Sequence, residues 1–203
     1  MNIVYIHGNG ASADSFNFIR TQLSEYRSIV LEYESTNGFY NNYQKMLEQL
    51  QDVEDIFIVA HSLGGIYALH LANDLRDKVL GAVTMSTPYG GSKAAQAVKY
   101  VLPFNRVLRD IQPHSPPIME GKAIDIVHPW TNIVTLDGHS PFMLEANDGV
   151  VTQESMRHRQ DMTLVDVNSN HFEVVLNNDA VAIIKKAIKK AERNAVHGLR
   201  VWA

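Results

Sequence analysis

The segment Val59-Ala60-His61-Ser62-Leu63-Gly64-Gly65 sets a serine between two small residues, with alanine two positions before it and glycine two positions after. A short apolar run, Ile56–Ala60, leads into it, and a long apolar stretch from Gly65 to Leu75 leads away. A chain that passes from strand to helix through one residue must turn sharply, and only small side chains on either side avoid a clash. Such a turn lifts the Ser62 hydroxyl above a sheet, where it can attack an acyl carbon. It also sets the Leu63 N–H and the positive end of the following helix beside that hydroxyl, ready to hold a developing oxyanion. An ordinary strand-to-helix turn containing a serine would show the same bare pattern.

A serine hydroxyl is a weak nucleophile at neutral pH and needs a base, which in turn needs an orienting acid. Two aspartates compete for the acid. Asp137 ends an apolar run in Leu136-Asp137-Gly138, although Asp-Gly also makes a tight turn without any catalytic purpose. Asp148 lies further on, in Glu145-Ala146-Asn147-Asp148-Gly149-Val150-Val151-Thr152. Nine histidines are available as the base, among them His158, His171 and His197 toward the C-terminus. His158 sits in the polar stretch Arg157-His158-Arg159 and His197 in a tail expected to fray, so both read as surface residues. His171 falls between an apolar run, Thr163–Val167, and a helical C-terminus. A second oxyanion donor is expected from the loop after the first strand, His7-Gly8-Asn9-Gly10-Ala11-Ser12, whose glycines let backbone approach a substrate. The Asn9 N–H is the candidate, with His7 bracing the loop.

The elements that must carry these residues are legible by period. Apolar runs at Ile3–Ile6, Ile29–Leu31, Ile56–Ala60, Val79–Met85, Ile133–Leu136 and Thr163–Val167 alternate with helical stretches. That alternation predicts an α/β protein with a mostly parallel sheet covered on both faces, a three-layer α/β/α sandwich. Phe16, Ile19, Leu23 and Tyr26 form one helical stripe; Tyr43, Met46, Leu47, Leu50 and Val53 form another. The helix from Gly65 to Leu75 is apolar nearly all round and so should be deeply buried. Pro88 to Pro129 breaks the rhythm and holds all but one of the seven prolines. Within the single domain expected over 1–203, residues 90–129 read as a cap insertion, with a helix from about Ser92 to Leu102. Near the C-terminus, Ala180, Val181, Ile183, Ile184, Ala187, Ile188 and Ala191 make a stripe opposite Lys185, Lys186, Lys189, Lys190 and Arg193. A membrane-surface helix could look like this, but a packed terminal helix with a solvated face explains it better.

Composition narrows the function. At 45% apolar and 20% charged residues the chain is globular, and a formal net charge of −4 disfavours nucleic acid as a partner. No cysteine is present, which rules out a thiol nucleophile and thiolate metal sites. No run approaches the roughly 18–20 apolar residues of a membrane span, so no membrane insertion is expected. The opening residues pass straight into a strand without a leader pattern, and the expected location is cytoplasmic. His114, His128 and His139, with Asp125 and Asp137, lack metal-ligand spacing. No metal and no cofactor is expected.

Together, His7-Gly8-Asn9-Gly10, Ala60-His61-Ser62-Leu63-Gly64-Gly65, Ser86-Thr87-Pro88-Tyr89-Gly90-Gly91-Ser92 and Asn147-Asp148-Gly149-Val150-Val151 resemble the bacterial lipase branch of the α/β-hydrolases. The likeness is greatest to the minimal lipases, whose serine turn also begins with alanine. The resemblance implies the triad order serine, acid, histidine, with Asp148 in the family's acid loop and His171 in its histidine loop. It implies cleavage of a small ester or acyl substrate through an acyl-enzyme on Ser62, without metal or cofactor. A thioesterase or acyltransferase with the same triad is the alternative, and a non-catalytic binding protein of this fold a further one. Thr87 to Ser92 sits where such sheets bind ligands, so Tyr89 is expected to border the substrate pocket. Tyr89, Tyr100, Val101, Leu102, Phe104 and Phe142 could line an apolar cleft or simply pack the cap.

Overall fold

The computed structural model describes residues 1–92, 95, 104–140 and 143–196. Most of the helix expected over 92–102, with Tyr100, Val101, Leu102, Phe142 and His197, lies outside them. Six strands form one sheet: β1 (Asn2–Ile6), β2 (Arg27–Leu31), β3 (Ile56–His61), β4 (Val79–Met85), β5 (Trp130–Thr135) and β6 (Thr163–Val167). Their order is β2-β1-β3-β4-β5-β6, and every pairing is parallel. The chain therefore starts in the middle of the sheet, steps outward to β2, and then crosses back to build β3 through β6. Loops leaving β1 and β3 run in opposite directions, which opens a crevice at the carboxyl ends of these two neighbours. The loops carrying Asn9 and Ser62 flank that crevice.

Strand residues alternate between the two faces. Val4, Ile6, Ile58, Ala60 and Ala82 join one apolar cluster, while Ile3, Tyr5, Phe57, Val59 and Val83 join the other. Both faces are thus dry, as a parallel sheet between two helical layers requires. On the first face lie α2 (Phe39–Leu50) and α3 (Leu63–Asp74). Phe39, Tyr43, Met46 and Leu50 of α2 recur at helical spacing and are buried. Helix α3 has no polar stripe at all, being buried from Leu63 through Ala72, and the Tyr67 ring stacks on Phe39 at 4.3 Å. The opposite face is covered by Phe16 and Ile19, from a short 3₁₀ turn and α1 (Asn17–Gln22), and by the terminal helix. Fully burying a side chain of this size stabilises the fold by about 1.5–3 kcal/mol relative to exposure.

Between β4 and β5 come α4 (Val107–Asp110) and α5 (Pro116–Ala123). The His70 ring donates from Nε2 to the Pro117 carbonyl at 2.9 Å, tying α5 to α3. After β5 follow α6 (Gln153–Met156) and, at the C-terminus, α7 (Asn178–Val196). Ala180, Val181, Ile184, Ile188 and Ala191 of α7 are buried, and Lys186, Lys189 and Lys190 are exposed. Its apolar stripe is therefore spent on the sheet.

Element ends differ from the periodic reading where tertiary contacts intervene. Strand β5 starts at Trp130 and stops at Thr135, because the Pro129 carbonyl already accepts the Ala82 N–H at 3.0 Å and the Trp130 indole is buried. The stripe that extends to Tyr26 is carried only to Gln22 as helix. Tyr26 instead reaches across to Glu192 at 2.9 Å.

Two adjacent glycines let α3 sit so close to the sheet. A methyl on Gly64 would lie 2.1 Å from the Ile6 carbonyl oxygen, and one on Gly65 would lie 2.0 Å from Thr87 Oγ1. At Gly64 the obstacle is backbone; at Gly65 it runs from Thr87 Oγ1 to Thr87 Cβ at 2.8 Å, and side-chain rotation does not move Cβ. Gly64→Ala and Gly65→Ala are each expected to cost roughly 2–3 kcal/mol or more in urea unfolding. A loss under about 1 kcal/mol in either variant would contradict this account of the packing.

Candidate active site

Ser62 is the hinge between β3 and α3. Its backbone sits at φ 53° and ψ −124°, a region that costs a residue with a side chain about 1–3 kcal/mol. Hydrogen bonds on both sides hold it there. The Ser62 N–H donates to the Met85 carbonyl at 2.8 Å, and the Gly65 N–H donates to the Ser62 carbonyl at 2.9 Å. The side chain is lifted off the sheet and meets His171.

Ser62 Oγ and His171 Nε2 are 3.0 Å apart, and His171 Nδ1 and Asp148 Oδ2 are 2.8 Å apart. Asp148 is buried, so its charge needs partners. The Val150 and Val151 N–H groups donate to Oδ1 at 3.0 and 2.8 Å, and the Thr135 hydroxyl donates to Oδ2 at 2.5 Å. Burial pushes the carboxyl up, but hydrogen bonds from His171, Thr135 and Val151 outweigh it and leave the group below the usual carboxylate range. An ionised Asp148 requires a proton on Nδ1, which leaves the Nε2 lone pair facing the Ser62 hydroxyl. The Ser86 and Thr135 hydroxyls are in turn 2.9 Å apart.

The peptide of His171 is pinned at both ends. Its N–H donates to the Asp148 carbonyl at 3.0 Å, and its carbonyl accepts from His61 Nε2 at 2.8 Å. His61 has to be neutral there. Burial, reinforced by the neighbouring His171, pushes its pKa down to about 3. Gly8 packs against the other side of this ring, where a methyl would lie 2.9 Å from His61 Nδ1.

Leu63 opens α3, so its N–H has no acceptor within the helix. Across the crevice, Asn9 is held through its side chain, with Oδ1 accepting from Ser35 Oγ at 2.7 Å and Asn105 Nδ2 at 3.2 Å. Among the described residues, neither the Leu63 nor the Asn9 N–H is paired with an acceptor. His7 braces this loop: its ring stacks on Tyr33 at 4.4 Å, and Nδ1 donates to the Gly8 carbonyl at 2.8 Å.

Ser62, His171 and Asp148 thus form one hydrogen-bonded chain, with Leu63 at the start of α3 and Asn9 on the loop after β1. Asp137 is exposed at the end of β5 and takes no part in that chain. Tyr89, expected to border the substrate pocket, is buried, and its hydroxyl accepts from Trp130 Nε1 at 2.9 Å and meets Thr84 Oγ1 at 2.9 Å. It packs its loop onto the core. His158 is exposed, and among the described residues no group of three histidines or carboxylates could hold a metal ion. Thr135, Ser86 and His61 escaped the sequence reading. Each lies at or just past the carboxyl end of its strand and finds its partner far along the chain, so local pattern carries no signal of it.

These features belong to a known class. Residues 3–148 match the model of the alpha/beta hydrolase family, and the chain is a member of it. No curated protein matches the chain. Its fold is similar to that of a metagenomic carboxyl esterase, with a TM-score of 0.72 at 16% identity over 98% of this chain and 76% of that one. A lipase of Bacillus licheniformis gives 0.66 at 15% identity, covering 91% and 90% of the two chains. A thioesterase of the prodiginine pathway in Streptomyces coelicolor gives 0.62 at 13%, covering 92% and 90%. Among the described residues no helix is long and apolar enough to cross a membrane.

The buried His61 makes an acid-stability prediction. Below about pH 6.5 an unfolded His61 takes up a proton that the folded one, with its pKa near 3, cannot. Stability is therefore undiminished by this group above that pH and falls as pH drops, at roughly 1 kcal/mol per pH unit. His61→Gln should flatten the acid limb of a urea-unfolding series by about one proton; an unchanged slope would contradict the assignment.

Proposed function

We propose that this chain is a serine hydrolase that cleaves carboxylic esters, or thioesters by the same chemistry, through an acyl-enzyme on Ser62. The observation that carries the reading is the unbroken chain of hydrogen bonds from Ser62 through His171 to a buried, multiply bonded Asp148. The likeness in fold to an esterase, a lipase and a thioesterase supports the reaction class. Neutral His171 takes the Ser62 proton as Oγ attacks the acyl carbon, and the imidazolium formed is held by Asp148. The Leu63 and Asn9 N–H groups bind the tetrahedral oxyanion, each such donor being worth on the order of 10²–10³ in rate. The imidazolium then protonates the leaving alcohol or thiol, and water, deprotonated by His171, hydrolyses the acyl-enzyme.

In this reading residues 90–129 serve as a cap over the crevice. Asn105 bonds to Asn9, and the Val107 N–H donates to the Ser35 carbonyl at 3.2 Å, so this segment leans on the very loop that carries an oxyanion donor.

Hydrolysis of p-nitrophenyl acetate tests the assignment. Ser62→Ala is expected to remove it while leaving the protein folded, and Asp148→Asn to lower kcat by about 10³–10⁴ with KM changed only a few-fold. Full activity in the Ser62 variant would sink the proposal.

A further inference from the structure

An open cleft of about 470 Å³ lies beside the candidate active site, lined by Thr36, Asn37, Phe104, Arg106 and Arg109. Its two walls are the loop after β2 and the start of α4, and Asn9 joins them. Ser35, next to Thr36, and Asn105, next to Arg106, both donate to Asn9 Oδ1. The Val107 N–H closes the same junction by donating to the Ser35 carbonyl. The cleft is thus one residue removed from groups that grip the proposed oxyanion loop.

Its chemistry is unlike that of the chain as a whole. The formal net charge is −4, yet this cleft presents two guanidinium groups. Arg106 and Arg109 are three residues apart along a helical turn, which sets them on one face. Among the described residues neither is ion-paired. Asp110, the neighbouring carboxylate, is half-buried and accepts the Phe39 N–H at 2.7 Å; its charge acts on both arginines but forms an ion pair with neither, so the cleft keeps a net positive charge. A planar guanidinium fork matches the oxygens of a phosphate or carboxylate in pairs. Thr36 and Asn37 add uncharged donors, and Phe104, 83% exposed, offers an apolar face for the carbon skeleton beside them.

We infer that the substrate cleaved at Ser62 carries an anionic oxygen group, phosphate or carboxylate, that seats between Arg106 and Arg109 on the Asn9 side of the crevice. The inference rests on the Ser62 reading and adds the substrate's charge to it. Because the cleft is open to water, its contribution is that of a partly screened contact, about tenfold in kcat/KM at low salt and less as salt is raised.

Two matched pairs of thioesters test it. One is S-acetyl-phosphopantetheine against S-acetyl-pantetheine; the other is the acetyl thioester of mercaptopropionate against that of mercaptopropanol. Thiol release is read with a disulfide chromogen, without background from the chain, which has no cysteine. A preference of about tenfold for the anionic member of either pair, falling toward unity in the Arg106→Gln, Arg109→Gln double variant, supports the site. The favoured pair then tells a phosphate arm from a short carboxylate. Equal rates within both pairs, or a preference that survives the double variant, overturn it. Calorimetry with phosphopantetheine and mercaptopropionate on the Ser62→Ala protein separates this from the hydrolase reading. Binding there that the two arginine changes abolish upholds the anion site even if no thioester is turned over, and no binding of either probe in the absence of turnover overturns it.

Discussion

The backbone at Ser62 is the point on which the rest of the arrangement depends. A left-handed φ of 53° is unfavourable for a serine, and the chain accepts it because the turn is clamped by ladder hydrogen bonds continuing past β3 and by α3 pressed onto the end of β1. Gly64 permits that approach to the Ile6 and His7 carbonyls, and Gly65 permits the approach to Thr87. The interior is dense, so neither contact can relax without moving a helix buried on all sides. Strain of a few kcal/mol at one residue is thus held by burial spread over two apolar clusters.

The same geometry decides the electrostatics. Parallel strands end together, so polar residues at the carboxyl ends of β3, β4 and β5 converge on one edge. His61, Ser86 and Thr135 come from three neighbouring strands and reach the site from below, while His171 and Asp148 arrive on loops above it. Burial alone would make Asp148 a poor anion. Its hydrogen bonds win over the desolvation because they come from backbone N–H groups, a hydroxyl and the imidazole at once, and all of them point at the charged form. A buried carboxylate kept ionised beside a histidine is what fixes which ring nitrogen faces the serine.

Much of this was legible in the residues, for physical reasons that differ by element. The strands were readable because a sheet buried on both faces needs unbroken Ile and Val runs, and five of the six runs lie within their strands. Ser62 was readable because the turn demands small neighbours. Asp148 could not be separated from Asp137 by local pattern; only the resemblance favoured it, and the distinction lies in a hydrogen bond across 23 positions. Thr135, Ser86 and His61 were invisible for the same cause, since their partners lie tens of residues away in sequence. The burial of Tyr89 was not legible, because an aromatic residue beside a ligand-binding edge looks like a pocket wall. Its partner Trp130 is 41 residues distant, and a buried network with Thr84 and Asn132 claims its hydroxyl.

The central claim is that Ser62 is an activated nucleophile. Treatment with a fluorophosphonate probe, followed by peptide mass spectrometry, reads this without any assumption about the substrate. The account predicts one adduct per chain, located on Ser62 and absent from the Ser62→Ala variant. An adduct on another serine, or none at saturating probe with the fold intact, would contradict it.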